Sequence, residues 1–447
     1  MQTLIDILSV PAILVALISL VGLLLQKKGT ADVVKGTTKT FVGFLVLSAG
    51  AGVLQTALIP FGTLFEEAFN VTGVVPNNEA IVGLALTKYG STTALIMFFG
   101  MIVNILLARF TRFKYIFLTG HHTLYMACML AIIMAVAGFD SFGLIAVGSI
   151  ALGIIMTLSP AIVQPFVRKL TGNDNVALGH FSAVGYAVSG LVGKAVGGKN
   201  PTSTEKINFP KGLGFLRDST VSITLTMAVM YVIVALFAGQ SFIETELSGG
   251  TNFIVYAITQ AGNFAAGVFV ILAGVRLILA EIVPAFKGIS TKLVPNAKPA
   301  LDVPIVYTYA PNAVLIGFFS SFVGGIVSMI VMTFTGGVII LPGVVPHFFT
   351  GAAAGVLGNA TGGIKGSVLG SFANGVIISF LPVFLMPVLG DLGFASTTFS
   401  DADFGVSGIF FGTLASNLGT MAIVIALAII VLLMFIPFGK KSANETK

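Results

Sequence analysis

The two halves of this chain carry the same uncommon residues in the same order and at nearly the same spacing. Each half places Ala-Gly ten residues before a proline, then a Pro-x-x-acid segment, an aromatic segment and a break at glycine. The matching segments are Ala49-Gly50 to Pro60 with Ala273-Gly274 to Pro284, Pro76 to Glu79 with Pro299 to Asp302, Tyr89 to Phe99 with Tyr309 to Phe319, and Leu118 to Gly120 with Leu341 to Gly343. Their offsets lie between 220 and 224 residues. Apolar segments can match by chance, but aligned prolines and acids favour an internal duplication.

The composition is that of a protein embedded in a lipid bilayer. The 447 residues are 56% hydrophobic and 9% charged, with a mean hydropathy of +1.03. The first apolar run, Val10 to Leu25, is followed by Lys27-Lys28. A signal peptide carries its basic residues before the apolar run, so this segment is predicted to be a spanning helix. One cysteine, Cys128, excludes a disulfide within the chain and a paired metal-thiolate site.

Basic residues gather in alternating loops, which sets the predicted orientation. They occupy 27–39, 109–114, 168–217, 287–298 and 440–441, whereas the intervening loops are neutral or acidic, including the one with Asp391, Asp401 and Asp403. The positive-inside rule then places the N-terminus outside and the C-terminus in the cytoplasm. An odd number of spans is required, and hydropathy indicates eleven. They are expected near 8–26, 40–60, 91–109, 116–138, 142–160, 219–239, 262–284, 312–333, 336–358, 366–389 and 415–437.

Two glycine-rich segments, 174–193 and 404–414, fit poorly as full spans and are predicted to be re-entrant hairpins. The predicted fold is therefore an all-α polytopic membrane protein with about eleven transmembrane helices, two re-entrant hairpins and an internal repeat. The helix ending at Pro60 runs outward and its copy ending at Pro284 runs inward. Residues 1–218 and 219–447 are thus expected to form two inverted repeats, an arrangement typical of alternating-access transporters.

Glu79 and Asp302 occupy equivalent positions in the two repeats, each three residues after a proline. An ionisable residue close to a membrane span is a functional candidate, because burying it is unfavourable. If both segments dip inward, the two carboxyl groups converge on one site near the midplane. The alternative is that both acids cap the helices that follow them.

All four histidines lie in interrupted apolar segments. His121 and His122 follow the break at Gly120, His180 lies in the first predicted hairpin, and His347 lies in the repeat copy of the His121 segment. Imidazole and freed backbone N–H groups can bind an anionic or hydroxyl-rich ligand, although a single buried histidine is often a packing residue. Metal binding is not expected, because adjacent histidines point to different faces of a helix and no acidic or cysteine set accompanies them.

Arg276 and Glu281 lie inside one predicted span, five residues apart, and are interpreted as a structural ion pair or interfacial anchors. The chain contains no G-x-x-x-x-G-K-[ST] segment, so it has no nucleotide-driven motor of its own. No cofactor and no nucleic-acid partner are indicated.

The chain resembles the IIC membrane component of the L-ascorbate class of the bacterial phosphoenolpyruvate-dependent phosphotransferase system. The similarity covers nearly the whole length. It is carried by Lys35-Gly36-Thr37 with Lys39-Thr40, Pro76-Asn77-Asn78-Glu79, Phe117-Leu118-Thr119-Gly120-His121, Gly179-His180 and Ala310-Pro311-Asn312-Ala313-Val314.

This resemblance implies a homodimer in the bacterial cytoplasmic (inner) membrane, with a dimerising scaffold and a substrate-carrying core built from both repeats. It also implies phosphorylation of the incoming sugar acid by a separate cytoplasmic IIB phosphocarrier, with a IIA protein upstream. The family's ligand contacts correspond to His121, His180 and Asp302. Some members have glutamines just after the first of these histidines and directly after the second, where this chain has Tyr125-Met126 and Phe181.

The absence of these glutamines implies either a pocket rearranged around Glu79 and His122, or a substrate that is related to ascorbate but different from it. The full set of candidate substrate-binding residues is His121, His180, Asp302, Glu79, His122, Tyr125, Asn78 and Asn312. Two functions compete: an ascorbate permease coupled to phosphorylation, and a proton-coupled symporter of a small anionic or polar solute that uses Glu79 or Asp302. A channel fits poorly with two broken segments. The phosphoryl transfer itself requires the separate IIB protein, so the sequence does not define this chain as an enzyme.

Overall fold

Apolar helices dominate the computed structural model, which describes residues 11–70, 73–208 and 211–436. The helices are α1 (Pro11–Leu25), α2 (Thr30–Phe69), α3 (Asn78–Phe110), α4 (Gly120–Val136), α5 (Ser141–Thr171), α6 (Ala183–Val196), α7 (Ser219–Ala238), α8 (Phe253–Leu293), α9 (Pro304–Tyr307), α10 (Pro311–Thr333), α11 (Val344–Leu385), α12 (Ala402–Leu418) and α13 (Thr420–Phe435). The strands are β1 (Gly73–Pro76), β2 (Tyr115–Phe117), β3 (Ala177–Leu178), β4 (Lys298–Leu301), β5 (Ile339–Ile340) and β6 (Thr397–Thr398). Short helical turns cover Thr204–Lys206, Lys211–Arg217, Gln240–Phe242, Ile243–Leu247, Met386–Val388 and Gly390–Phe394.

Within the described residues, seven helices are long and apolar enough to cross a membrane: α2, α3, α5, α7, α8, α10 and α11. Shorter apolar helices, α4, α6 and α13, add to them. The predicted fold class, an all-α polytopic membrane protein, is confirmed. Residues 8–10 of the first predicted span, residue 437 of the last and the lysines at 440–441 lie outside the described residues.

Several predicted spans have different boundaries in the structure. Those expected at 116–138 and 336–358 each contain a strand, so their helices begin only at Gly120 and Val344. The spans expected at 336–358 and 366–389 lie on either side of a break in α11 at Gly363, as the gap between them predicts. There the backbone has a φ of 59°, a left-handed conformation that glycine adopts most easily. The span expected at 415–437 is interrupted at Gly419, between α12 and α13.

Six short strands form two parallel three-stranded sheets, in the orders β5-β1-β6 and β2-β4-β3. In the first sheet, Val74 aligns with Ile340 and Val75 with Thr397. In each sheet the central strand comes from one half of the chain and both outer strands come from the other half. Broken backbone inside an apolar environment needs hydrogen-bond partners, and the two halves supply these partners to each other.

The first predicted hairpin, 174–193, contains β3 and most of α6, whereas the second, 404–414, lies within α12 and β6 precedes it. The N-termini of these two helices meet. The Ala402 N–H donates to the Ser182 hydroxyl at 3.3 Å, and the Asp403 N–H donates to the Phe181 carbonyl at 3.0 Å. This contact corrects the expectation that Asp401 and Asp403 lie in an outer loop: both are buried, at 3% and 5% exposure, because their segment is held inside the protein.

Helices α2 and α8 cross at close range through glycines on both partners. A Cβ on Gly274 would lie 2.4 Å from the Leu47 nitrogen, and one on Gly50 would lie 2.6 Å from the Ile271 nitrogen. Small residues at a crossing let two membrane helices approach until their backbones touch. This packing fixes α8, which forms one wall of the cavity described below.

We expect Gly274→Ala to lower the free energy of unfolding of the purified protein by about 1–3 kcal/mol, because the added methyl group overpacks the crossing. Its melting temperature should fall accordingly. Gly52→Ala is the matched control, since no atom lies within 4 Å of its added Cβ. The chain has no tryptophan, but its single cysteine, Cys128, is buried, so a fluorogenic thiol reagent reports unfolding. Equal melting temperatures for the two variants would contradict this packing.

Candidate functional site

Polar side chains that follow five of the six strands line one cavity of about 660 Å³. Its polar lining consists of Asn78, Glu79, Thr119, His121, His122, Tyr125, His180, Arg276, Asp302, Ser400 and Asp401. The apolar wall includes Leu118, Leu272, Val275, Leu301, Val345 and Phe349. Parallel pairing of the strands brings these segments together, so the cavity lies at the contact between the two halves of the chain.

Glu79 lies in the first turn of α3, directly after β1. The helix is capped by Asn77, whose Oδ1 accepts from the Ala80 N–H at 2.8 Å, so the capping role considered for Glu79 belongs to Asn77. Glu79 is 6% exposed, and its Oε2 and the Tyr125 hydroxyl have no hydrogen-bond partner among the described residues. Buried polar atoms normally have partners, and a ligand or water in the cavity can provide them.

His121 and Asp302 form the more open side of the cavity. The Nε2 of His121 lies 3.5 Å from Oδ2 of Asp302, and their side chains are 25% and 33% exposed. The other carboxylate oxygen of Asp302 accepts from the Val303 N–H at 2.7 Å. That hydrogen bond orients the carboxylate, while His121 remains accessible from the cavity.

The deeper side of the cavity contains His122, His180 and Asp401, all buried. Oδ2 of Asp401 lies 3.9 Å from Nδ1 of each histidine, and the two imidazole centres are 3.8 Å apart. The hydroxyl of Tyr186 lies 2.8 Å from Nδ1 of His180, and the Phe181 N–H donates to Nδ1 of His122 at 3.5 Å. Because Nδ1 of His122 accepts from a backbone N–H, that ring is neutral with its proton on Nε2, whereas the hydrogen bond between Tyr186 and His180 fits either tautomer of His180.

Two groups have the spacing of a metal site. The candidate ligand atoms of His121, His122 and Asp302, and those of His122, His180 and Asp401, lie within 4.8 Å of one another. In the second group, however, Nδ1 of His180 already has the Tyr186 hydroxyl as its partner. Neutral imidazole N–H donors beside carboxylate acceptors match the needs of a hydroxyl-rich ligand without a change in these hydrogen bonds.

Seven of the eight candidate residues predicted from the sequence line the cavity: His121, His180, Asp302, Glu79, His122, Tyr125 and Asn78. The Oδ1 of Asn78 accepts from the Ser400 N–H at 3.0 Å and so joins α3 to the segment before α12. Asn312 does not line this cavity. Its amide donates to the carbonyls of Thr204 and Ile207, at 3.2 and 2.9 Å, and fastens a loop to the start of α10.

His347 is also outside the cavity lining and lies 2.9 Å from the Ser321 hydroxyl through Nδ1. Sequence reasoning missed Ser400 and Asp401 as site residues. The repeat offset could have found them, because an offset of 220 residues aligns β6 with β3 and therefore Ser400 with His180. Arg276 lines the cavity as well, while the side chain of Glu281, its expected partner, lies outside the described residues.

The Asp403 side chain connects three helices next to this site. Its carboxylate accepts from the Ser159 hydroxyl at 2.7 Å and from the Val184 N–H at 3.0 Å. These bonds connect α12 to α5 and to the N-terminus of α6. Asp403 and Asp401 are therefore neighbours in sequence with different surroundings, since Asp401 faces the cavity and Asp403 does not line it.

Comparison with known proteins adds two similarities. Residues 6–403 match the family described as "PTS system sugar-specific permease component". The chain is also 28% identical, over an alignment of 409 residues, to the ascorbate-specific PTS system EIIC component of Mycoplasma pneumoniae. That alignment covers 79% of this chain and 61% of the relative. The chain thus spans about three-fifths of the length of the curated relative it matches.

We expect Asp403→Ala to lower the free energy of unfolding by about 2–5 kcal/mol, because it leaves a buried hydroxyl and a buried N–H without their acceptor. Asp401→Asn is the control and should change stability less, because the asparagine oxygen can still accept from the Ser400 hydroxyl that donates to Asp401 at 2.7 Å. Thiol labelling of Cys128 on heating measures both variants. A melting temperature equal to that of the wild type for Asp403→Ala would contradict the structural role.

Proposed function

Because this chain belongs to the family of PTS system sugar-specific permease components, we propose that it carries L-ascorbate, or a closely related sugar acid, across the bacterial cytoplasmic membrane. Transport is coupled to phosphorylation of the sugar acid by a cytoplasmic IIB protein, which is charged by an upstream IIA protein. The curated relative named as ascorbate-specific supports the choice of substrate.

One observation carries the proposal: the cavity joins His121, His180 and Asp302, the three positions implied by the resemblance, although they are far apart in sequence. Ascorbate is a monoanion with several hydroxyl groups at neutral pH. The Nε2–H of His180 can donate to a ring oxygen, and the carboxylates of Asp302 and Glu79 can accept from hydroxyls. Phe181, where some family members have glutamine, stacks on Phe117 with centroids 4.4 Å apart and leaves His122 to complete the polar wall.

The two sheets support transport by alternating access between inverted repeats. If β1, β2 and β3 are exchanged with β4, β5 and β6, the order β5-β1-β6 becomes β2-β4-β3, which is the order of the second sheet. Two halves related in this way can exchange conformations and so open a shared site to either side. In this proposal the protein is a homodimer, with its N-terminus outside and its C-terminus in the cytoplasm.

The test of this function is uptake of labelled L-ascorbate by membrane vesicles that contain the protein. We expect uptake to require phosphoenolpyruvate with the soluble phosphocarriers, and the product inside to be phosphorylated. Vesicles that lack only the IIB protein are the control and should accumulate no phosphorylated product. Uptake of unmodified ascorbate driven by a proton gradient would instead select the symporter, with Glu79 or Asp302 as the proton site.

We expect His121→Ala and His180→Ala each to weaken ascorbate binding by roughly ten- to more than a hundredfold. A buried hydrogen bond to a charged ligand contributes about 1.5–3 kcal/mol. His347→Ala is the matched control, because it removes a buried histidine outside the cavity lining. Equilibrium binding to purified protein measures all three variants. Wild-type affinity in both His121→Ala and His180→Ala would remove these residues from the site.

A further inference from the structure

Arg276 lies on the face of α8 that forms a wall of the cavity. Leu272, Arg276 and Ala280 follow one another at four-residue intervals and all line the cavity. Gly274, two residues before Arg276, faces α2 at the close crossing. Two residues correspond to about 200° around a helix, so the same crossing that fixes α8 directs Arg276 toward the opposite face.

The charges around the cavity are unbalanced without Arg276. Three carboxyl groups line it, from Glu79, Asp302 and Asp401. The hydrogen bond that Nδ1 of His122 accepts from the Phe181 N–H keeps that ring neutral. Among the described lining residues, Arg276 is the one side chain that is always positively charged.

An arginine in an apolar span is unfavourable unless it has a partner or a function. Arg276 and His121 line the same cavity, and Nε2 of His121 lies 3.5 Å from Oδ2 of Asp302. A ligand held between His121 and the α8 wall therefore meets the guanidinium on one side and the imidazole on the other. A negatively charged ligand in this position is attracted by Arg276 and repelled by each of the three carboxyl groups that is ionised.

We propose that Arg276 makes this site select a sugar acid in its anionic form over an uncharged compound of the same size. The inference rests on the proposed function and adds a specificity-determining residue to it. The histidines and carboxylates bind hydroxyl groups, which neutral and anionic sugars share. Arg276 favours a ligand with a negative charge, through a charge-assisted hydrogen bond and the direct attraction of opposite charges.

The experiment compares two ligands, L-ascorbate and its uncharged 3-O-methyl ether, by equilibrium binding to purified protein at neutral pH. The wild type should prefer the anion. Arg276→Gln should weaken ascorbate binding by about ten- to a hundredfold, while the affinity for the ether changes less than about threefold. Arg276→Lys keeps the charge and should retain part of the preference. Arg109→Gln is the matched control, because Arg109 is an exposed arginine outside the cavity lining.

The outcomes distinguish a failure of this inference from a failure of the proposed function on which it rests. If the wild type binds ascorbate and Arg276→Gln binds it equally well, the inference is wrong and the proposed function stands. If Arg276→Gln weakens both ligands equally and lowers the melting temperature measured at Cys128, Arg276 is a structural residue and the inference is also wrong. If the wild type does not bind ascorbate, the proposed substrate is wrong, and the inference fails with it.

Discussion

The pairing of broken backbone inside an apolar environment is the constraint on which this structure depends. A chain that leaves its helices within a bilayer exposes N–H and C=O groups that water cannot reach. Here those breaks become six short strands, and each sheet needs strands from both halves. The residues after the strands, among them Glu79, His121, His180, Asp302 and Asp401, are consequently held around one cavity.

The sequence was sufficient to predict the residues whose chemistry conflicts with their surroundings. His121, His180 and Glu79 are polar residues in interrupted apolar segments, and burying such residues is unfavourable without a partner or a function. Asp401 could not be found in this way, because charge counting treats it like the nearby Asp391, which is exposed. Its burial follows from the pairing of β6 with β1, more than 300 residues earlier in the chain, and no local pattern contains that contact.

Local sequence places the break inside α11 but not the first residues of α4 and α11. Hydropathy falls between the spans expected at 336–358 and 366–389, and the break at Gly363 lies in that gap. Strands β2 and β5 are apolar and merge with the helices that follow, because a two- or three-residue strand is too short to show alternation. Asn312 looked like a ligand contact within a family motif, but its amide is taken by the carbonyls of Thr204 and Ile207.

In the proposed alternating-access mechanism, the distribution of charge across the cavity connects ligand binding to movement of the two halves. Each of its three histidine–carboxylate contacts joins an imidazole of the first half to a carboxylate of the second. Arg276, on the second half, is held by the α2–α8 crossing and not by these contacts. Any displacement of one half relative to the other changes these distances together. A ligand that hydrogen-bonds to both halves therefore stabilises one relative position of them, which is the coupling that alternating access requires.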